Sequence, residues 1–205
     1  MNEVIEKTVA ALKKHGFEAE AVASRDECRE MILKMIPAGA KVGVPGSASV
    51  RAIGVVEELK KRGHELYDHW EPGLSPLDAL KIRKQQLLCD VLLSSTNALT
   101  MTGELLNMDG IGNRVAAMIF GPGKVIIVAG RNKIVPNLES ARDRIQKIAA
   151  PRRAKEMNLP TPCAKDAQCP DCNVPSRICR AEVVLHRKPS LTQIKVIIVD
   201  EDLGN

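Results

Sequence analysis

The chain has 205 residues, 44% hydrophobic and 27% charged, which fits one globular domain with at most a small appendage and excludes global disorder. Only Phe17, Tyr67, Trp70 and Phe120 are aromatic, so the core is built from Ala, Val, Ile, Leu and Met and offers no base-stacking surface for a nucleic acid. The 30 basic and 25 acidic residues leave +5, and because eight Lys/Arg against four acids fall within 151–190, the rest of the chain is near neutral, which argues against a polyanionic or membrane-surface role.

Residues 3–15 carry Val4, Ile5, Val9 and Leu12 on one helical face and end at Gly16, a favourable helix stop. Phe17–Ala23 alternates as a short strand. Ser24 to Glu27 forms a capping box for a helix to Met35, ended by Pro37 and Gly39. Next come a strand at Lys41–Val44, a small-residue loop at Pro45–Ser49 and a helix from Val50 to Arg62, closed by Gly63. A strand at Glu65–Tyr67 leads to a loop at His69–Pro76, where His69-Trp70 is a candidate pocket rim. Leu77–Leu88 reads as a helix, Asp90–Ser94 as a buried strand, Thr96–Gly112 as turns with a short strand, and Arg114–Phe120 as a helix. Lys124–Ala129 and Ile194–Val199 are continuous apolar runs, the pattern of strands buried on both faces. Asn137 caps a helix running to Ala150. This order predicts an α/β fold, a mostly parallel sheet with helices on both faces, whose sites lie at the carboxyl ends of the strands.

Thirteen of fourteen glycines lie at or before Gly130, whereas six of twelve prolines and four of six cysteines lie within 151–190. The predicted organisation is therefore an α/β domain made of 1–150 and 191–205, with 151–190 as a loop-rich four-cysteine metal-binding insertion. No apolar run reaches 18 residues, so no membrane span is expected. The acidic, amphipathic start does not resemble a signal peptide. The expected compartment is cytoplasmic, with cysteines kept as thiols or metal ligands.

Three constellations carry chemistry. Gly43-Val-Pro-Gly46-Ser47-Ala-Ser49 joins a strand to a helix, so its backbone N–H groups and the Ser47 and Ser49 hydroxyls suit a phosphate or carboxylate. The competing reading is a tight turn with a serine cap. The second stretch packs Asn97, Thr100, Glu104, Asn107, Asp109, Gly110, Asn113 and Arg114 into eighteen residues. Glu104 and Asp109 are its candidate acid/base groups and Arg114 its candidate anion partner; Asn-Met-Asp-Gly is equally a turn signal. The third is Cys163-x5-Cys169-x2-Cys172-x6-Cys179, four thiols whose density suits a metal, with a [4Fe–4S] cluster favoured and Zn²⁺ as the alternative. Cys28 and Cys89 read as core residues.

The run from Asn97 to Gly130, with Thr-Gly-Glu-Leu-Leu-Asn-Met-Asp-Gly-Ile-Gly-Asn-Arg-Val followed by Gly121-Pro-Gly-Lys-Val-Ile-Ile-Val-Ala-Gly, resembles the LUD domain of LutC/YkgG-type lactate-utilisation proteins. It is more closely similar to an anaerobe-type branch with a C-terminal four-cysteine motif and an Asp-Glu-Asp-Leu-Gly ending. The resemblance implies the superfold shared by ribose-5-phosphate isomerase, glucosamine-6-phosphate deaminase and coenzyme A transferases, in which a loop like Gly43–Ser49 holds a phosphate. The isomerase's Asp-Gly-Ala-Asp and Lys-Gly-Gly-Gly blocks are missing here, so its reaction is not carried over. What the resemblance implies is a LutC-like part in oxidising lactate to pyruvate, with Gly46, Ser47, Ser49 and the 97–114 residues holding a small anionic or phosphorylated metabolite. Other lactate-oxidation subunits and a second copy of the chain are the candidate protein partners. The alternatives are an isomerase or acyl transferase acting on a phosphorylated metabolite, and a structural metal-binding subunit of an oxidoreductase complex.

Overall fold

In the computed structural model, which describes residues 2–205, the first helix α1 (Glu3–Lys14) is capped by the Asn2 side chain and leads into β1 (Glu18–Val22). Helix α2 (Arg25–Met35) starts at Ser24, whose hydroxyl accepts from Glu27 N, while the Glu27 carboxylate reaches back to Ala23 N at 2.8 Å. After β2 (Val42–Val44), the helix expected over 50–62 is two pieces, α3 (Ala48–Ala52) and α4 (Val55–Lys61). Gly54 at φ +70° ends the first ladder between them. The chain continues through β3 (Leu66–Asp68), α5 (Pro76–Gln85) and β4 (Val91–Ser94). The stretch read as turns with one short strand holds two, β5 (Ala98–Thr100) and β6 (Leu105–Asp109), paired as an antiparallel hairpin.

Helix α6 (Asn113–Ile119), β7 (Lys124–Gly130) and the two-residue β8 (Ile134–Val135) follow. Asn137 caps α7 (Leu138–Arg144) as expected, but the helix does not stop at Ala150: it passes through a π turn at Ile145–Ala149 into α8 (Ala150–Glu156). Pro151 is tolerated because it stands at the start of α8, where the wider π turn spares it both the missing N–H bond and the ring clash. Helix α9 (Pro162–Asp166), β9 (Ala181–Leu185) and β10 (Gln193–Val199) complete the chain.

Six strands form a wholly parallel sheet in the order β1-β10-β7-β4-β2-β3. The two apolar runs lie at its centre, and their successive side chains feed opposite cores. Ile126, Val128, Ile197 and Val199 face Cys28, Ile32, Val50 and Val56 of α2, α3 and α4. Val125, Ile127, Val196 and Ile198 face Ile5 and Leu12 of α1 and Met118 of α6. Every one of these is essentially inaccessible, as strands covered by helices on both faces require.

A second sheet, β8-β5-β6-β9, hangs from the end of β4 and packs Ala98 and Leu106 on Ala141 and Ile145. Of the span 151–190, the structure puts the first residues in α8 and residues 181–185 in this second sheet, opposite 105–109. The cysteines sit between those ends, on α9 and the loops after it. Among the described residues no helix is long and apolar enough to cross a membrane.

Candidate functional site

A cavity of about 260 Å³ opens where the loops after β2 and β4 face the β5–β6 hairpin, the carboxyl ends of central parallel strands. Of the residues singled out from the sequence, Gly46 and Ser47 line one side, and Asn97, Asp109, Gly110, Asn113 and Arg114 line the other. Ser49 is buried behind the first loop, and Thr100, Glu104 and Asn107 stand outside the lining.

On the first side, Gly46 adopts φ +77°, and a Cβ there would meet the Trp70 ring at 2.6 Å, so only glycine lets the loop lie against that ring. The Ser47 hydroxyl is occupied as the cap of α3, accepting from Val50 N at 3.2 Å. Trp70 is held by the buried Asp68, which accepts from Trp70 N and pairs with Arg51 at 2.6 and 2.8 Å. The guanidinium groups of Arg51 and Arg153 lie over the indole at 4.9 and 4.3 Å.

On the second side Arg114 is the keystone. An arginine has five N–H donors, and all five are used within the protein. Nε donates to Asp109 Oδ1, Nη1 to Ser95 O and Asn107 Oδ1, and Nη2 to Asn97 Oδ1 and Met108 O, at 2.8–3.0 Å. Asp109 is equally engaged, since its other oxygen accepts from Val115 N at 3.1 Å and caps α6. Arg114 therefore fixes the shape of the wall and has no donor left over for an anion. Asn107 serves the same network from a fully buried position. Glu104 closes the turn of the β5–β6 hairpin by accepting from the hydroxyls of Thr100 and Thr102. Burial pulls its pKa up, but those hydrogen bonds outweigh the burial and hold the carboxyl below its ordinary value.

The chemistry that the sequence reading missed lies in the cations between these walls. Arg83, on α5, lines the cavity with a buried Nε that has no hydrogen-bond partner among the described residues. Lys133, just after β7, is 4% exposed, and its ammonium donates to Ser49 Oγ at 2.9 Å, Ser95 Oγ at 3.0 Å and Thr96 O at 3.1 Å. These three partners are neutral oxygens. Burial, then the charges of Arg144 and Arg114, push its pKa down to about 7. His69 also lines the cavity; burial and then Arg83 push its pKa down to about 4, so the ring is neutral at pH 7. With Asp109 already committed to Arg114, the cavity presents positive charge and no spare carboxylate. A lone lysine in a short loop and an arginine on an unremarkable helix carry no pattern in one dimension; only the path of the chain after β7 buries Lys133.

The four cysteines line one small cavity beside the first, together with Ala150, Thr161, Arg177 and Ile178. Burial, and then the neighbouring Cys169, push the Cys179 thiol up to about 11, with Cys163 and Cys172 adding to the rise. Arg177 donates to Cys172 O and Cys179 O at 2.6 Å, bracing the loop. The donor set suits a thiolate-ligated group in kind, but among the described residues no three His, Cys, Asp or Glu side chains are drawn into a set that holds a metal ion as they stand. The two cavities share Ile178 as a wall. A Cβ on Gly110 would meet Ile178 O at 3.2 Å, and Arg180 N donates to Asp109 O at 2.9 Å, so the cysteine loop rests directly on the cavity rim.

A family model described as the LUD domain matches residues 5–199. A crystal structure of a DUF162 family protein from Deinococcus radiodurans is similar in fold, with a TM-score of 0.57, 16% sequence identity and 96% of each chain covered. No protein of curated function matches the chain significantly.

Proposed function

The chain belongs to the LUD domain family, associated with lactate utilisation, and from that membership we propose that it takes part in the oxidation of lactate to pyruvate by binding a small carboxylate or phosphorylated metabolite in the cavity. One observation carries this reading: Arg83 brings a guanidinium to the lining, and its buried Nε, like that of Arg51 outside the cavity, has no acceptor among the described residues. An unpaired buried donor costs about 1–3 kcal/mol, more when charged, and a bound anion removes that cost. Arg153 is a second cation of the lining, stacked on Trp70. The Arg114 network keeps the facing wall in shape without competing for the ligand.

In the same reading, Cys163, Cys169, Cys172 and Cys179 would be the residues to hold a [4Fe–4S] cluster, with Zn²⁺ as the alternative. When bound, such a cluster supplies one-electron transfer. The chain's contribution is placement: Ile178 separates the two cavities by a single side chain, and Arg177 and Arg180 offset negative charge at the cysteines. Other subunits of lactate oxidation are the expected partners for the electrons.

Thermal shift with lactate, pyruvate, a sugar phosphate and an acyl-coenzyme A tests the site. At tenfold excess over Kd a ligand raises the midpoint by roughly 3–6 °C for a domain of this size. A rise with lactate or pyruvate is expected. No shift with any of the four overturns the reading.

A further inference from the structure

Lys133 is used by neither the anion reading nor the Arg114 network, yet it is a buried amine at the cavity wall beside two hydroxyls. We propose that Ser95 and Lys133 form a nucleophile–base dyad that cleaves an acyl ester or thioester whose remote end carries an anion. The dyad occupies the same cavity as the reading above, but it does not require lactate as the ligand.

The hydrogen-bond count selects the roles. As an ammonium, Nζ has three protons and three acceptors: Ser49 Oγ, Ser95 Oγ and Thr96 O. As a neutral amine it keeps two donors and gains a lone pair, which then takes the proton of one serine. Ser49 is the wrong serine, since it is 1% exposed and absent from the lining. Ser95 lines the cavity, and its oxygen is 3.0 Å from Nζ; its proton has only long alternatives, Thr96 O at 3.3 Å and Ser49 Oγ at 3.4 Å, so deprotonating Lys133 offers it a closer acceptor. Its backbone is fixed by the Arg114 Nη1 bond to Ser95 O at 3.0 Å, so the nucleophile sits on the rigid wall. The charges facing Lys133 are those of Arg144 and Arg114, both cationic, and they favour the free amine that a base needs, as does burial. Arg83 and Arg153 line the same cavity, where an anionic tail of the acyl substrate would be held.

The step balances with water as the only co-reactant. Ser95 Oγ bonds to the acyl carbon as its proton passes to Nζ. The carbon–oxygen or carbon–sulfur bond breaks, and Nζ returns the proton to the departing alkoxide or thiolate. Water then attacks the acyl-serine and loses a proton to Nζ; as the bond from the acyl carbon to Oγ breaks, Nζ returns that proton to Ser95, which frees the carboxylic acid and restores the dyad.

The test is covalent labelling of the intact protein with diisopropyl fluorophosphate, followed by intact mass and peptide mapping. One adduct is expected on Ser95 in the wild type, with a rate that rises with pH through about 7 as Lys133 loses its proton. Ser95→Ala abolishes it. Lys133→Met slows it by about 100-fold or more, the usual contribution of a general base. Lys133→Arg, which keeps the charge and the donors but cannot deprotonate, slows it similarly, and the thermal midpoint of each variant verifies folding. No adduct on folded wild type, an adduct elsewhere, a rate flat between pH 6 and 8, or labelling indifferent to Lys133→Arg overturns the dyad. Labelling needs no anion, so its failure leaves the thermal shifts with lactate or pyruvate standing, and the converse holds as well.

Discussion

The wall that ends at α6 and the loop that carries the cysteines meet at Ile178, and they are built in opposite ways. All five Arg114 donors are matched to acceptors, Asp109 uses both oxygens, and the two side chains are only 11% and 12% exposed; the one unmatched donor of the network is the buried Nδ2 of Asn107. In the cysteine loop, Arg177 and Arg180 donate to carbonyls of their own loop and the thiols face one another across a small cavity. The wall holds its shape through its own hydrogen bonds, whereas the loop brings four thiols to one small cavity without hydrogen bonds linking them. The contrast separates residues that keep a site in shape from residues to which the proposed function gives a ligand.

The largest expected effect lies in the wall. Arg114→Met leaves Asp109, Asn107 and Asn97 without their shared donor, and removing one member of a buried pair costs about 3–5 kcal/mol. Urea unfolding measures it; a loss under about 1 kcal/mol would mean that the network is ornamental.

A smaller effect is expected from pH. The fold lowers the Lys133 pKa from 10.5 to about 7, so between those values the unfolded chain binds more protons and stability rises with pH. Raised thiol values such as that of Cys179, moved from 9.0 to about 11, oppose this above pH 9. The window to measure is therefore pH 7 to 9. Wild type gains stability across it, and Lys133→Met loses that slope. On the acid side His69, lowered from 6.5 to about 4, makes stability fall as pH drops below 6.5.

The smallest effect on the fold falls in the loop. Cys169 is exposed, so Cys169→Ser changes metal-free stability by no more than about 0.5 kcal/mol, and on the proposed cluster it lowers the iron bound per chain. A stability loss as large as that of Arg114→Met would erase the distinction between the two regions.

The parallel sheet was legible because strands buried on both faces must be apolar throughout, as in Lys124–Ala129 and Ile194–Val199. The two glycine-marked walls were legible as well, since their polar residues exceed what turns between strands need. Strand β9 was hidden because its residues Ala181–Leu185 follow prolines and cysteines, and only pairing with β6 reveals it. The split of α3 from α4 hangs on one left-handed glycine, which a helical pattern tolerates on paper. The roles inside the site were least legible. Arg114 reads as an anion partner until its five donors are counted. Arg83 and Lys133 owe their chemistry to burial that arises from packing.

The most direct test of the cavity's function is calorimetric titration of lactate and of pyruvate into wild type and into Arg83→Met. Binding of one of them to wild type, weakened about 10- to 100-fold in the variant as the loss of a charged hydrogen bond requires, is the predicted result. No binding to wild type, or equal binding to both proteins, would contradict the assignment of the cavity as an anion site centred on Arg83.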